Sequence, residues 1–183
     1  MEIKIEEVSN KTCRLYCKLG TKAYKEHYLH LWQNNDPAPY IEKSFTIDVV
    51  KDELKDNSVS LWLIYHENTA VGILKLIKDA PIASHASKEV VLLEKIYILH
   101  KFSGKGIGSF ALRWVETYCL KANRQLIWLE TMQKGAALNF YLKNGYHIIR
   151  EKKLKFDQVL EKQKPMYILY KKVKPQNSQV VFN

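Results

Sequence analysis

The chain is sparing with residues that punctuate or staple a backbone: seven glycines, five prolines and three cysteines in 183 positions. Cys13, Cys17 and Cys119 are odd in number and match neither a metal-ligating nor a Cys-x-x-Cys spacing, which speaks against a disulfide framework and a metal site. They fall in segments that read as helix, Cys13 and Cys17 one turn apart, and suit small core positions. No stretch approaches the roughly 18 unbroken apolar residues of a membrane span. The opening "MEIKIEEV" has neither the basic nor the apolar region of a signal peptide, so a cytoplasmic location is expected.

Hydrophobic residues make up 46% and charged residues 26%, the balance of a soluble globular protein. The length suits one domain, expected over residues 1–173, with a polar tail at 174–183. Formal net charge is +10, from 29 Lys and Arg against 19 Asp and Glu. Such a surplus suits an anionic partner: nucleic acid, a membrane surface or a nucleotide-like cofactor. The lysines are scattered and no basic-aromatic signature of a nucleic-acid module is present, so neither nucleic acid nor membrane is expected as a partner.

"EIKIEEV" alternates as a strand does. From Asn10 to about Trp32 apolar residues recur at helical spacing, and Gly20 suggests a break into two pieces. "NNDPAPY" reads as a turn, because Asp36, Pro37 and Pro39 stop a helix. Thr46 has the look of an N-cap for "IDVVKDELKD". Two strand-like runs around "ENTA" predict a hairpin, and the polar loop "APIASHASKE" leads to the strand "VVLLEKIYIL". A helix follows over 107–121, with Ile107, Ala111, Leu112, Val115, Tyr118 and Cys119 on one stripe. "QLIWLET" is a strand, "AALNFYLKN" a helix ending at Gly145, and "YHIIREKKL" and "PMYILYKKV" are two more strands. The expectation is a mixed α/β fold: a largely antiparallel central sheet of about seven strands flanked by helices.

Three of the seven glycines crowd into "SGKGIGSFA", between a strand and a helix. That order of elements makes a phosphate cradle, because glycines let backbone amides approach and the helix start adds partial positive charge. A P-loop is excluded, since no glycine here is followed by Lys and then Ser or Thr in the required spacing. Gly106, Gly108 and Ala111 fit a relaxed dinucleotide fingerprint, with Glu130 about 22 residues beyond Gly108. Only 53 residues follow Glu130, however, too few for the second half of a doubly wound sheet.

The turn Ser103, Gly104, Lys105, Gly106, Ile107, Gly108 resembles the coenzyme A cradle of the GNAT acetyltransferase superfamily, with Ser103 where that family has Arg or Gln. "AALNFYLKNGYHI" resembles the family's second cofactor motif, with Lys134 where an asparagine is usual. "KSFTIDVVKDELKDNSVSLWLIYHENTAVGILKL" and "LEKIYI" are also similar to PaiA-type polyamine (spermidine/spermine) N-acetyltransferases. The resemblance implies an acetyl-CoA-dependent N-acetyltransferase acting on a small amine such as a polyamine, with acetyl-CoA as cosubstrate; the alternatives are a protein or peptide N-acetyltransferase and a non-catalytic coenzyme A-binding sensor module. It places Ile96, Tyr97, Ile98, Ser103, Gly104, Lys105, Gly106, Ile107, Gly108, Ser109 and Lys143 around coenzyme A. It also makes Tyr141 the acid that protonates the departing thiolate, and backbone donors near Ile98 and Leu99 the groups that polarise the acetyl carbonyl.

Acetyl transfer to an amine also needs the amine neutral, and at a Lys-like pKa only about one molecule in a few thousand is neutral at pH 7. A base therefore helps. Glu94, flanked by apolar residues in the strand before the glycine turn, is the first candidate, with an expected raised pKa. Glu130 is the second. The segment Asp36 to Phe45 is the expected wall of the acceptor site, with Glu42 as its carboxylate. A polyamine acceptor meets one objection: a protein at +10 repels a cation unless its cleft is locally acidic. Sheet edges leave room for a homodimer.

Overall fold

Leu61 and Leu63 alternate with Trp62 and Ile64 along one strand, and this period of two splits the core into layers. The computed structural model describes residues 2–82 and 87–173. The expected tail from residue 174 and part of the 80–89 loop lie outside them. Seven strands form one sheet: β1 (Ile3–Glu7), β2 (Val59–His66), β3 (Thr69–Lys78), β4 (Val90–Ile98), β5 (Leu126–Met132), β6 (His147–Lys153) and β7 (Pro165–Lys172), in the order β1-β2-β3-β4-β5-β7-β6. All neighbours are antiparallel except β4 and β5. This is the expected mixed sheet, and its antiparallel pairs exclude a doubly wound dinucleotide fold.

On one face α1 (Cys13–Tyr28), α2 (Ala38–Phe45) and α3 (Ile47–Glu53) cover Leu61, Leu63 and Ile73. On the other, α4 (Ile107–Lys121) lays Ile107, Ala111, Leu112, Val115 and Cys119 over Trp62, Leu74, Leu76 and Val91. Leu138 and Phe140 of α5 (Ala136–Lys143) pack against the same layer. The three cysteines are buried and unpaired. Burial pushes the Cys17 thiol up to about 11 and the Cys119 thiol up to about 12, which suits core residues rather than nucleophiles.

Two expectations about the first hundred residues are corrected. Gly20 does not break a helix: α1 runs through it, with Gly20 outside the left-handed region. A Cβ there would lie 2.3 Å from the Phe45 ring, so the glycine lets α1 and α2 approach. The proline turn also stops earlier than expected. Pro37 is the N-cap of α2 and Pro39 sits in its first turn, where no intrahelical N–H donor is required. Thr46 caps α3 as expected, accepting from the Val49 amide at 3.3 Å.

Two irregularities in β4 create the site. Its parallel pairing with β5 covers only Val90, Val91 and Leu92, while β4 continues to Ile98 against β3 and β5 continues to Met132 against β7. The two strands therefore part beyond Leu92, and the sheet opens between them. In addition, Lys75 pairs with Lys95 but Leu76 with Leu93, which leaves Glu94 as the extra residue of a β-bulge. A bulge re-aims side chains, and here it brings Glu94 and its neighbour Lys95 together.

Candidate active site

Gly104 and Gly106 hold φ values of +75° and +78°, conformations that a side chain resists, and a Cβ on either would project into open space. Gly108 is different: in the first turn of α4 it allows the Phe140 ring within 3.0 Å of where a Cβ would be. Gly106 caps α4 without a side-chain acceptor. Among the described residues no protein acceptor meets the amides of residues 104–109. These donors, at the positive end of a 15-residue helix, form a ready anion site. A cavity of about 500 Å3 lies against the turn, lined by Ile96, Tyr97, Ile98, Ser103, Gly104, Gly106, Gly108, Ser109 and Tyr141, and also by His27, Tyr28 and Phe102. The cradle and this cavity fit a pyrophosphate-bearing cofactor such as coenzyme A.

The amides along the open edge of β4 follow from its register. Leu99 N–H donates to Val71 at 2.9 Å, so that donor is spent on β3. Hydrogen-bonding direction alternates along a strand, and the Ile96 and Ile98 amides therefore face the opening. Of the two amides expected near the acetyl carbonyl, that of Ile98 faces the opening and that of Leu99 does not, being spent on Val71. The Ile98 carbonyl, on the same edge, lies 2.8 Å from His27 Nε2, which fixes the strand end to α1.

A second cavity, of about 350 Å3, lies on the other side of the same opening. Tyr28, Ile96, Tyr97 and Tyr141 line both cavities, so the phenol of Tyr141 stands at their junction. Burial raises its pKa, and the phenol stays protonated across the working range of pH. Tyr24, Tyr28 and Tyr40 join Tyr97 in an aromatic cluster: the Tyr24 and Tyr40 rings stack at 4.1 Å, and the Tyr40 and Tyr97 hydroxyls share a 2.7 Å hydrogen bond. Such ring faces suit an ammonium or amine group.

Glu94 lines the second cavity, with Lys75 Nζ at 2.6 Å and Lys95 Nζ at 2.8 Å; Glu53 takes a further bond from Lys75 at 2.6 Å. Burial by itself would raise the Glu94 pKa, but the two ammonium groups outweigh it and the carboxyl is held below its ordinary value. The expected raised pKa is thereby overturned, because apolar neighbours in sequence are not neighbours of the side chain. For Lys75, desolvation works against the charge, yet two carboxylates raise its pKa above the usual value. Lys95, desolvated, with one shared carboxylate and Lys75 repelling it, is shifted down. Glu130 reaches the same cavity with Lys152 Nζ at 2.5 Å.

The structure thus gathers Ile96, Tyr97, Ile98, Ser103, Gly104, Gly106, Gly108, Ser109 and Tyr141 at one cavity and Glu94 and Glu130 at the other. The side chains of Lys105, Ile107 and Lys143 do not line the cofactor cavity, although the Lys105 and Ile107 amides belong to the cradle. Lys105 lies 5.2 Å from the Phe102 ring centroid, the Ile107 side chain is in the core, and Lys143 is exposed. Tyr40, Lys43 and Ser44, from the segment Asp36 to Phe45 expected to wall the acceptor site, line the second cavity, whereas Glu42 is exposed and does not line it. His27, Tyr24, Tyr28 and Tyr40 escaped sequence reading. Their only signal was the one-turn spacing of Tyr24 and Tyr28.

The profile described as the Acetyltransferase (GNAT) family matches residues 22–146. Among curated proteins, an uncharacterized N-acetyltransferase in the pepI 3' region of Lactobacillus delbrueckii subsp. lactis is 21% identical over 144 residues, covering 78% of this chain and 83% of that one. Among solved structures, the PaiA N-acetyltransferase of Thermoplasma acidophilum in complex with coenzyme A superposes with a TM-score of 0.73 at 17% identity, covering 94% of this chain and 99% of that one. The spermidine/spermine N-acetyltransferase SpeG of Vibrio cholerae gives 0.66 at 14% identity, covering 93% and 92%. With the profile spanning the splayed strand, the glycine cradle and the Tyr141 helix, the chain belongs to the GNAT family and is an N-acetyltransferase that takes acetyl-CoA as cosubstrate.

Proposed function

We propose that this protein acetylates a small primary amine held in the 350 Å3 cavity between β4, β5 and α2. The observation that carries the reading is the junction: Tyr28, Ile96, Tyr97 and Tyr141 face both the cradle side and the acceptor side of one opening. Acetyl-CoA supplies the activated acetyl group. The amides of residues 104–109 bind its pyrophosphate, and the Ile96 and Ile98 amides hold the acetyl carbonyl oxygen. The Tyr141 phenol, kept protonated by burial, donates to the departing sulfur.

Glu94 is ionised at neutral pH and receives the proton of the incoming amine directly or through water, with Glu130 as the other carboxylate within the cavity. Its lowered pKa makes it a weak base, so the amine enters chiefly as the neutral fraction present in solution. The resemblance of the fold to PaiA and SpeG supports a polyamine acceptor, whereas the excess of lysines lining the cavity supports a different one. Thiol release from acetyl-CoA in the presence of an amine panel tests the reading. Turnover with at least one small amine, abolished by heat, is expected; binding of acetyl-CoA with no amine turned over would remove it.

A further inference from the structure

The acceptor cavity is lined by four lysines, Lys43, Lys95, Lys152 and Lys155, against two carboxylates, Glu94 and Glu130. Both carboxylates are already engaged, Glu94 by Lys75 and Lys95 and Glu130 by Lys152. Adding the Lys75–Glu53 pair behind them leaves the balance unchanged, at two positive charges in excess. The excess has an address. Among the described residues neither Lys43 nor Lys155 forms an ion pair; Lys155 precedes Phe156 in the chain, and the Lys43 ammonium lies 5.5 Å from that ring's centroid.

The junction of this cavity with the cofactor cavity is built of Tyr28, Tyr97 and Tyr141, whose ring faces and hydroxyls suit an amine. Lys43, Lys152, Lys155 and Phe156 line the acceptor cavity alone, as do the already engaged Glu94 and Glu130. A polyamine with one nitrogen at the junction would set its remaining ammonium groups in a cavity where lysines exceed carboxylates and both carboxylates are already paired. Like charges placed opposite one another exclude a ligand as effectively as complementary ones select it.

We infer that the acceptor is a primary amine that also carries an anionic group, carboxylate or phosphate, with the amine at the tyrosine junction and the anion on Lys43 and Lys155. This rests on the acetyltransferase reading given above. The reaction is unaltered: the nitrogen–acetyl bond forms, the carbon–sulfur bond breaks, and the proton lost by nitrogen is balanced by the one gained by sulfur. The cavity volume of about 350 Å3 matches an acceptor of amino-acid or phospho-amine size.

The test compares initial rates of thiol release for glutamate, aspartate and phosphoethanolamine, for ethanolamine and butylamine, and for putrescine and spermidine. The expected result is a kcat/KM at least about tenfold higher for the best anionic amine than for the best polyamine, with the advantage shrinking as salt is added. In the double variant Lys43→Glu, Lys155→Glu, both changes on exposed side chains, the anionic-to-cationic ratio falls by at least about tenfold. Turnover led by spermidine, or by ethanolamine or butylamine, which carry no anionic group, or a ratio unmoved by the charge reversal, overturns the inference and leaves the acetyltransferase reading standing. Turnover of no amine overturns both.

Discussion

Replacing Glu94 with Gln tests the electrostatic frame of the acceptor cavity. Its carboxylate lies 2.6 Å from Lys75 Nζ and 2.8 Å from Lys95 Nζ. At an effective dielectric near 20 each contact is worth about 6 kcal/mol gross, and desolvation of the three groups cancels most of that. Removing one partner of a buried pair costs roughly 3–5 kcal/mol, because the ammonium groups stay behind without their counter-charge. The Glu94 side chain is 34% exposed, so water recovers part of the loss, and we expect about 2 kcal/mol. For a chain of this size that lowers the Tm by roughly 4–8 °C. Since the folded carboxyl has a depressed pKa, its contribution is present above the unfolded carboxylate value of about 4.3 and is lost as pH falls through the folded one. Urea unfolding of both proteins at a series of pH values should show the full gap at pH 7 and its closure below about pH 4. Equal stability at pH 7, or a gap that persists unchanged to pH 3, would refute the reasoning.

Tyr141→Phe should lower kcat by about 10–100-fold and leave acetyl-CoA affinity nearly unchanged, measured by steady-state rates and calorimetry; an unchanged kcat would remove the phenol from the chemistry. With Glu94 held ionised, the pH profile of kcat/KM between 6 and 9 should rise with the neutral fraction of the acceptor amine and carry no carboxylate limb in that range. Gly20→Ala should destabilise by about 1–2 kcal/mol, because a Cβ 2.3 Å from the Phe45 ring overpacks the α1–α2 contact by more than the gain in helix propensity. A stabilised Gly20→Ala protein would instead point to a glycine retained without a packing need.

The elements with strong local signals were legible in the sequence. The hairpin at "ENTA", the Thr46 cap, the α4 stripe and the glycine cradle each rest on residues close together in the chain, and the structure has all of them. What was not legible depends on residues far apart. Gly20 looks like a break until Phe45 is placed over it, and Pro39 looks like a stop until the first turn of α2 supplies a position where its missing N–H is harmless. The Glu94 pKa was misread for the same reason. Its flanking Leu92, Leu93 and Ile96 suggested an apolar setting, whereas the bulge turns the side chain toward Lys75 of β3 and beside Lys95. The tyrosine cluster draws on α1, α2 and β4, and no single stretch of sequence announces it.

The central claim is that main-chain amides of residues 104–109 grip the pyrophosphate of coenzyme A and so bring the thioester to Tyr141. Isothermal titration of acetyl-CoA into the wild-type protein and into Gly106→Ala tests it most directly. The left-handed φ of +78° costs an alanine about 1–2 kcal/mol, and its Cβ would stand in the open cradle. The account predicts one site per chain in the wild type and an affinity at least about tenfold weaker in the variant with the fold retained. No heat with the wild-type protein, or equal affinity in the two, would contradict it.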